Sequence, residues 1–226
     1  MNSFMWKNQD SYYGYGIIIN TMPPVVSPEQ NVEIIEIIGR DGNFTIDYGT
    51  KKSYTLPMVC TLMDFTRVQE IKEWLQGSGD LVFNFEEYKY DARLVNQIDI
   101  SQSLTSLGEF PLIWRVQPYK SSVIDKLFTF TSAGTIRNPT GNTSLPIIKI
   151  YGSGTVVLTV NSKVITLTNI VEYVTINSQL MDCYKDSALK NLNMSGEFPI
   201  FEPDNNVISW TGSVTKLEIN PNWKWL

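Results

Sequence analysis

At about 150 residues per domain, a chain of 226 residues holds one large domain or two small ones, and 42% hydrophobic against 18% charged residues mark it as globular rather than disordered. Histidine is absent, which removes His-based triads, His-containing zinc sites and any imidazole proton shuttle. The net charge of −5 sits in the first half: residues 1–121 hold ten Lys and Arg against fifteen Asp and Glu, and residues 122–226 hold eight of each. No clustered Lys or Arg offers the phosphate neutralisation that tight nucleic-acid binding needs.

Strand signals dominate the chain. Residues 15–20 are a short apolar run, and the stretch after them carries Pro23, Pro24 and Pro28, whose missing N–H groups bar it from a central strand. Residues 32–38 read as a strand closed by the turn Gly39-Arg40-Asp41-Gly42. Residues 52–64 are β-rich and interrupted by Pro57. One helix stands out. Thr66 and Gln69 form a T-x-x-Q capping box, Val68, Ile71 and Leu75 recur at helical spacing beside Trp74, and Gly77 supplies the stop. Residues 81–85, 88–94 and 110–116 return to strand, and a domain boundary is placed near Ser121-Ser122, giving domains 1–121 and 122–226.

The second half reads as almost wholly β. Residues 147–151 form a strand closed by Gly152-Ser153-Gly154, and residues 155–160 turn through Asn161-Ser162 into residues 163–167, with Val156, Leu158 and Val160 on one face. Residues 173–176, 205–210 and 214–219 complete the set. The expected fold class is mainly β (a β-rich α+β chain), with a two-sheet sandwich or jelly roll in the second half.

Candidate chemistry is sparse. Glu86, Glu87 and Asp91 are the nearest approach to paired carboxylates, but as consecutive strand residues Glu86 and Glu87 point to opposite faces and read as surface charge. The Gly-Ser-Gly stretches at 77–79 and 152–154 lack the lysine and spacing of a phosphate loop and read as turns. Asp182, Asp186 and Asp204 lack the regular ligand spacing of a calcium loop. Cys60 and Cys183 form no C-x-x-C pair and are expected as buried reduced thiols. No catalytic, metal or cofactor site is assigned. Nothing in the first residues resembles a signal peptide and no apolar run reaches 18 residues, so a soluble protein made in a cytoplasm is expected, and the sequons at Asn43, Asn142 and Asn193 carry little weight. Trp210, Trp223 and Trp225 could stack on sugar rings, which leaves a carbohydrate-binding module as the alternative reading.

The ordered features resemble a known family. Strands, Gly39-Arg40-Asp41-Gly42 followed by Phe44, an amphipathic helix, and a β-rich segment ending near Gln117-Pro118-Tyr119 come first. Then follow residues 138–142, residues 145–154, the hairpin, residues 176–181, Gly196-Glu197-Phe198-Pro199, residues 206–210 and residues 219–223. Over nearly its whole length the chain is similar to the distal tail (Dit) proteins of siphophages and related prophages, in their short form. The resemblance implies an N-terminal belt domain forming a hexameric ring and a C-terminal galectin-like β-sandwich. It implies a non-enzymatic hub at the virion tail tip, synthesised in the bacterial host cytoplasm. Its partners would be itself, the tail tube protein and a tail-associated or baseplate protein, with DNA only as passing cargo and no membrane. The sandwich length leaves no room for an inserted carbohydrate module. One departure is Pro203-Asp204-Asn205-Asn206, where members often carry glycine before the late Asn. An acidic lumen would let DNA pass without trapping it, and Glu33, Glu36, Asp41 and Asp47 are its candidates.

Overall fold

The computed structural model describes residues 1–98, 101–104 and 107–226. The chain divides into two compact units, Met1–Val123 and Ile124–Trp225, each with its own apolar core.

The first unit contains β1 (Phe4–Trp6), β2 (Gln9–Asp10), α1 (Ser11–Tyr15), β3 (Ile17–Thr21), β4 (Gln30–Glu36), β5 (Asn43–Lys51), β6 (Tyr54–Leu62), α2 (Val68–Leu75), β7 (Ser78–Phe83), β8 (Tyr88–Leu94), β9 (Ser101–Leu104), β10 (Leu107–Val116) and β11 (Ser121–Ser122). Nine strands form one antiparallel sheet along the path β2-β1-β7-β8-β10-β6-β3, with β9 on β10 and β11 on β8. The helix α2 buries Ile71 and Leu75 in that unit's core. Its indole Trp74 Nε1 donates to the Trp6 carbonyl at 3.2 Å while Trp6 Nε1 donates to the Trp74 carbonyl at 2.9 Å, so the first strand and the helix satisfy each other's buried polar groups.

Three local expectations need correction here. The helix is not entered through a capping box. A 3₁₀ turn, Phe65–Arg67, precedes it, and Asp64 caps that turn by accepting from the Thr66 N–H at 2.9 Å, while Gln69 Nε2 donates to Glu73 instead. Asp64 has extended backbone and its carboxylate accepts the N–H two residues on, the geometry of an N-cap, so the cap lies two residues before Thr66. The stop at Gly77 stands, at φ 84. Secondly, Pro57 does not interrupt β6, which runs through it opposite Ile113 of β10. The Met63 N–H reaches toward β3, to the Gly16 carbonyl, so by alternation Pro57 also faces that side. There β3 has already ended, at Thr21 opposite Val59, and no ladder lacks a donor. Thirdly, α2 is joined by a second helix, α1, that the apolar pattern does not announce. Five residues are too few for an apolar period; it forms because Asp10 accepts from the Tyr12 and Tyr13 N–H groups and Gly16 closes it at φ 65.

The second unit contains β12 (Phe128–Phe130), β13 (Gly134–Asn138), β14 (Ile147–Val160), β15 (Lys163–Ile170), β16 (Tyr173–Asn177), β17 (Asp182–Lys185), β18 (Ala188–Leu189), β19 (Met194–Ser195) and β20 (Asp204–Asn220). Gly152-Ser153-Gly154 closes nothing: β14 passes straight through it, and β20 likewise joins what reads as two strands around Gly212. The two long strands pair along their length, Ile147 opposite Asn220 and Val160 opposite Ile208, with register shifts near Gly152 and Val157. At those shifts both strands turn a corner together. Their far halves join β13, β15 and β19 in one layer; their near halves join β12, β16, β17 and β18 in the other. Val156, Leu158 and Val160 share one buried face, facing a single core with Ile148, Ile150, Ile176, Leu217 and Ile219.

The corner needs glycine. A Cβ on Gly152 would lie 2.2 Å from the Ser213 carbonyl oxygen, and one on Gly212 would lie 2.4 Å from that of Thr155. Elsewhere in this unit buried amides fix the turns. The Glu202 carbonyl accepts from Asn138 Nδ2 at 3.1 Å and from Asn206 Nδ2 at 2.9 Å. Asn206 Oδ1 in turn accepts from Asn161 Nδ2 at 2.9 Å and the Glu202 N–H at 2.8 Å. Asp204, in the stretch Pro203-Asp204-Asn205-Asn206, has φ 65. Aspartate is one of the few residues with a side chain that tolerates this left-handed conformation.

Candidate assembly surface

Among the described residues the strands β4 and β5 pair only with each other, as a separate two-stranded sheet. Val32, Ile34, Ile35, Thr45 and Ile46 favour extended backbone. Gly39 and Gly42, at φ 85 and 79, allow the connection to reverse, and the Arg40 N–H donates to the Ile37 carbonyl at 3.2 Å. Nearer the base, Gly49 at φ 66 takes up a register shift, its N–H bound by Asp47 Oδ1 at 2.8 Å. Asn31 donates to Thr50 at 3.1 Å and Lys52 stands 3.9 Å from Glu29. Nine residues of β5 span roughly 30 Å, which makes this hairpin an arm.

Register sorts the arm into two faces, because cross-strand partners share a side. One carries Glu33 with Ile46, Ile35 with Phe44 and, by alternation, Tyr48; the other carries Val32 with Asp47, Ile34 with Thr45 and Glu36 with Asn43. The Tyr48 hydroxyl donates to the Glu33 carboxylate, and that bond holds the tyrosine above its ordinary pKa. Apolar side chains stay open on both faces and at the tip: Ile34 is 60% exposed, Phe44 52% and Ile38 103%. A lone two-stranded hairpin is marginal in water, and covering each such side chain would release roughly 1.5–3 kcal/mol. The four carboxylates Glu33, Glu36, Asp41 and Asp47 all fall on this arm, with Arg40 and Lys51 as its cations, for a net charge of −2 over residues 30–51.

The other candidates do not converge. Glu86 and Glu87 lie in the turn between β7 and β8 rather than on a strand, and Glu86 accepts the Tyr90 hydroxyl at 2.7 Å. Burial first, then that bond, raise the Tyr90 pKa. Asp91 sits across the ladder from Asp80. Asp182 binds Asn191 at 2.9 Å, Asp186 accepts the Tyr173 hydroxyl, and Asp204 stands 3.9 Å from Arg137. Trp223 is buried, and Trp210 and Trp225 pack against the second core, so the three form no exposed row. Cys60 and Cys183 are buried in separate cores, where burial pushes their thiols up to about 12 and about 11. Among the described residues no helix is long and apolar enough to cross a membrane.

No protein-family profile matches the sequence, and no curated protein does. Among solved structures, the chain is similar to the SPP1 Dit (gp 19.1) protein, presented as a paradigm of the hub adsorption apparatus in phages infecting Gram-positive bacteria. The TM-score is 0.78 at 13% identity, with 100% of each chain covered. The phage P2 baseplate, in its activated conformation with Ca, gives 0.43 at 8% identity over 96% of this chain and 98% of that one, too slight a likeness to carry an argument. The first likeness is one of fold: from end to end, this chain has the fold of a distal tail protein.

Proposed function

We propose that this chain is a distal tail protein, a non-enzymatic hub at the tip of a phage tail. In this reading residues 1–121 form the belt of a hexameric ring and residues 122–226 a galectin-like sandwich. The ring joins the tail tube to a baseplate or tail-associated protein and lets DNA through. The observation that carries the reading is the full-length fold match to a hub protein. The free arm supports it. A closed ring needs one surface of each subunit to meet a different surface of the next, and a projecting hairpin with Ile35, Phe44 and Ile46 on one face is suited to be one of the two. Its carboxylates would keep a duplex from sticking in the lumen.

Native mass across a concentration series tests this. Six copies of 25.7 kDa give about 154 kDa. A mass that stays at one copy throughout, also with tail tube protein added, refutes the ring. In the double variant Ile35→Glu with Phe44→Glu, loss of two buried side chains at roughly 1.5–3 kcal/mol each weakens association by about 10²–10⁴-fold. The monomer's Tm is expected to stay the same, because neither residue belongs to the core.

A further inference from the structure

At the tip of the β4–β5 arm stands Asp41-Gly42, the one place in the chain where an aspartate or asparagine is followed by glycine. Both residues are exposed. Among the described residues the Asp41 carboxylate has no hydrogen bond or ion pair. The connection 37–42 is closed by the Arg40 N–H donating to the Ile37 carbonyl, and among the described residues the Gly42 N–H donates to nothing. No side chain shields that nitrogen, and the space where a Cβ would stand is empty to 4 Å. The next most open pairs, in which serine follows, are all held. Asp10 caps α1. Asn161 Oδ1 accepts the Val207 N–H at 2.9 Å, Asn177 Oδ1 accepts the Gln179 N–H at 3.0 Å, and Asp186 accepts the Tyr173 hydroxyl. At Asn2 the following amide is the group engaged, since the Ser3 N–H donates to Asn84 Oδ1 at 3.2 Å.

An amide nitrogen without a hydrogen bond, a free carboxyl group on the residue before it and an exposed loop tip together allow the chain to react with itself. We infer that Asp41-Gly42 is a site of spontaneous covalent modification, at which the aspartate rearranges to isoaspartate. The Gly42 nitrogen attacks Asp41 Cγ. A C–N bond forms, the carboxyl C–O bond breaks, and the amide proton leaves with the hydroxyl group as water, which closes a five-membered imide. Water then opens the imide at either carbonyl. Opening at Cγ restores aspartate. Opening at the main-chain carbonyl carbon leaves Gly42 joined through Cγ and frees the α-carboxylate. The water lost in the first step is regained in the second, so mass and charge return to their starting values. The main chain at the tip is longer by a methylene group, between strands whose register brings Glu36 opposite Asn43. The arm thus ages at its tip for as long as it stays uncovered. This chemistry does not rest on the ring.

The test holds the full chain, folded and at neutral pH, for several weeks beside a capped synthetic peptide of residues 38–44. Samples are digested with the endoproteinase Asp-N, which cuts before aspartate and not before isoaspartate, and the fragments are weighed. A protein isoaspartyl methyltransferase with labelled S-adenosylmethionine marks the new α-carboxylate independently. Loss of the cut before residue 41 without change of mass is expected. The rate in the folded chain should lie within about threefold of the peptide's, because a segment this exposed opens at almost no cost. It should exceed the rate at any other Asp or Asn by about tenfold or more. Gly42→Ala is expected to slow the conversion by about tenfold, through the barrier that a Cβ beside the attacking nitrogen adds. Asp41→Glu, whose imide would need a six-membered ring, is expected to abolish methyl labelling of this segment. A chain that keeps its cut while the peptide loses it overturns the inference. So does conversion at Asn161 or Asp186 as fast as at Asp41, or an unchanged rate in Gly42→Ala.

Discussion

Replacing Gly212 by alanine strikes the corner at which β14 and β20 change layers. The new Cβ would sit 2.4 Å from the Thr155 carbonyl oxygen and 3.1 Å from the Val156 Cα, about 1 Å inside ordinary contact on a backbone that cannot swing away. The residue is also held at φ 102, which costs a side-chain-bearing residue roughly 1–3 kcal/mol. Parting the strands by that ångström weakens about two ladder hydrogen bonds, at about 1 kcal/mol each. The sum is about 3–5 kcal/mol. Gly154→Ala is the matched control: its φ is 74, but a Cβ there meets nothing within 4 Å, so only left-handed strain of roughly 1–2 kcal/mol applies. A urea titration read by pulsed alkylation separates the units, since Cys183 reports on the second core and Cys60 on the first. Gly212→Ala should move the Cys183 midpoint far more than Gly154→Ala does, with Cys60 unmoved. Equal costs for the two variants refute the corner argument.

The remaining predictions concern buried groups and one turn. Asn206→Ala removes a fully buried amide and strands the Glu202 N–H; a loss of about 2–4 kcal/mol by urea unfolding is expected, and a loss below 1 kcal/mol contradicts the network. Asp204→Gly should be neutral within about 0.5 kcal/mol, because aspartate already tolerates φ 65, while Asp204→Val should cost about 1–2 kcal/mol. Thermal melts of the two variants decide between this and a turn indifferent to side chain. With thiols raised to about 12 and about 11 by burial, neither Cys60 nor Cys183 should react with Ellman's reagent at pH 8 on the time scale of minutes, and both should react in urea. Fast labelling of the native protein would show that the cores open.

Much of this architecture is legible in the residues, and the failures have physical causes. Residues 88–94 are read with the observed bounds because charge and apolar residues alternate there, and the 156–167 hairpin because Val156, Leu158 and Val160 keep period two on a half-buried sheet. The fused strands escape because Gly152-Ser153-Gly154 in β14 spells a turn locally and Thr211-Gly212-Ser213 in β20 breaks its apolar run; only the partner strand, some sixty residues away, makes each a bulge. Pro57 misleads for a similar reason, since a proline is harmless once its neighbour strand has ended. The arm is the most instructive case. Ile34-Ile35 and Ile37-Ile38 place apolar groups on both faces, the pattern of a strand buried on two sides, yet this chain alone buries neither. That mismatch was the available signal for an interface, and it cannot be seen before the exposure is known. The four carboxylates come together on one hairpin although their positions span fifteen residues of sequence, because the Gly39–Gly42 reversal folds them back on each other.

The corner also sets a schedule for synthesis. The strand β20 pairs within both layers, with β13 and the far half of β14 along residues 204–211 and with β12 and the near half of β14 along residues 213–220, so the layer built on the near halves cannot close before Asn220 is made. The strands and helices of the first unit all lie within Met1–Val123. At about 5–20 residues per second, the interval between the two is about 5 to 20 s. A first unit that folds as its own domain during that interval would display its arm on a tethered chain before the second unit closes.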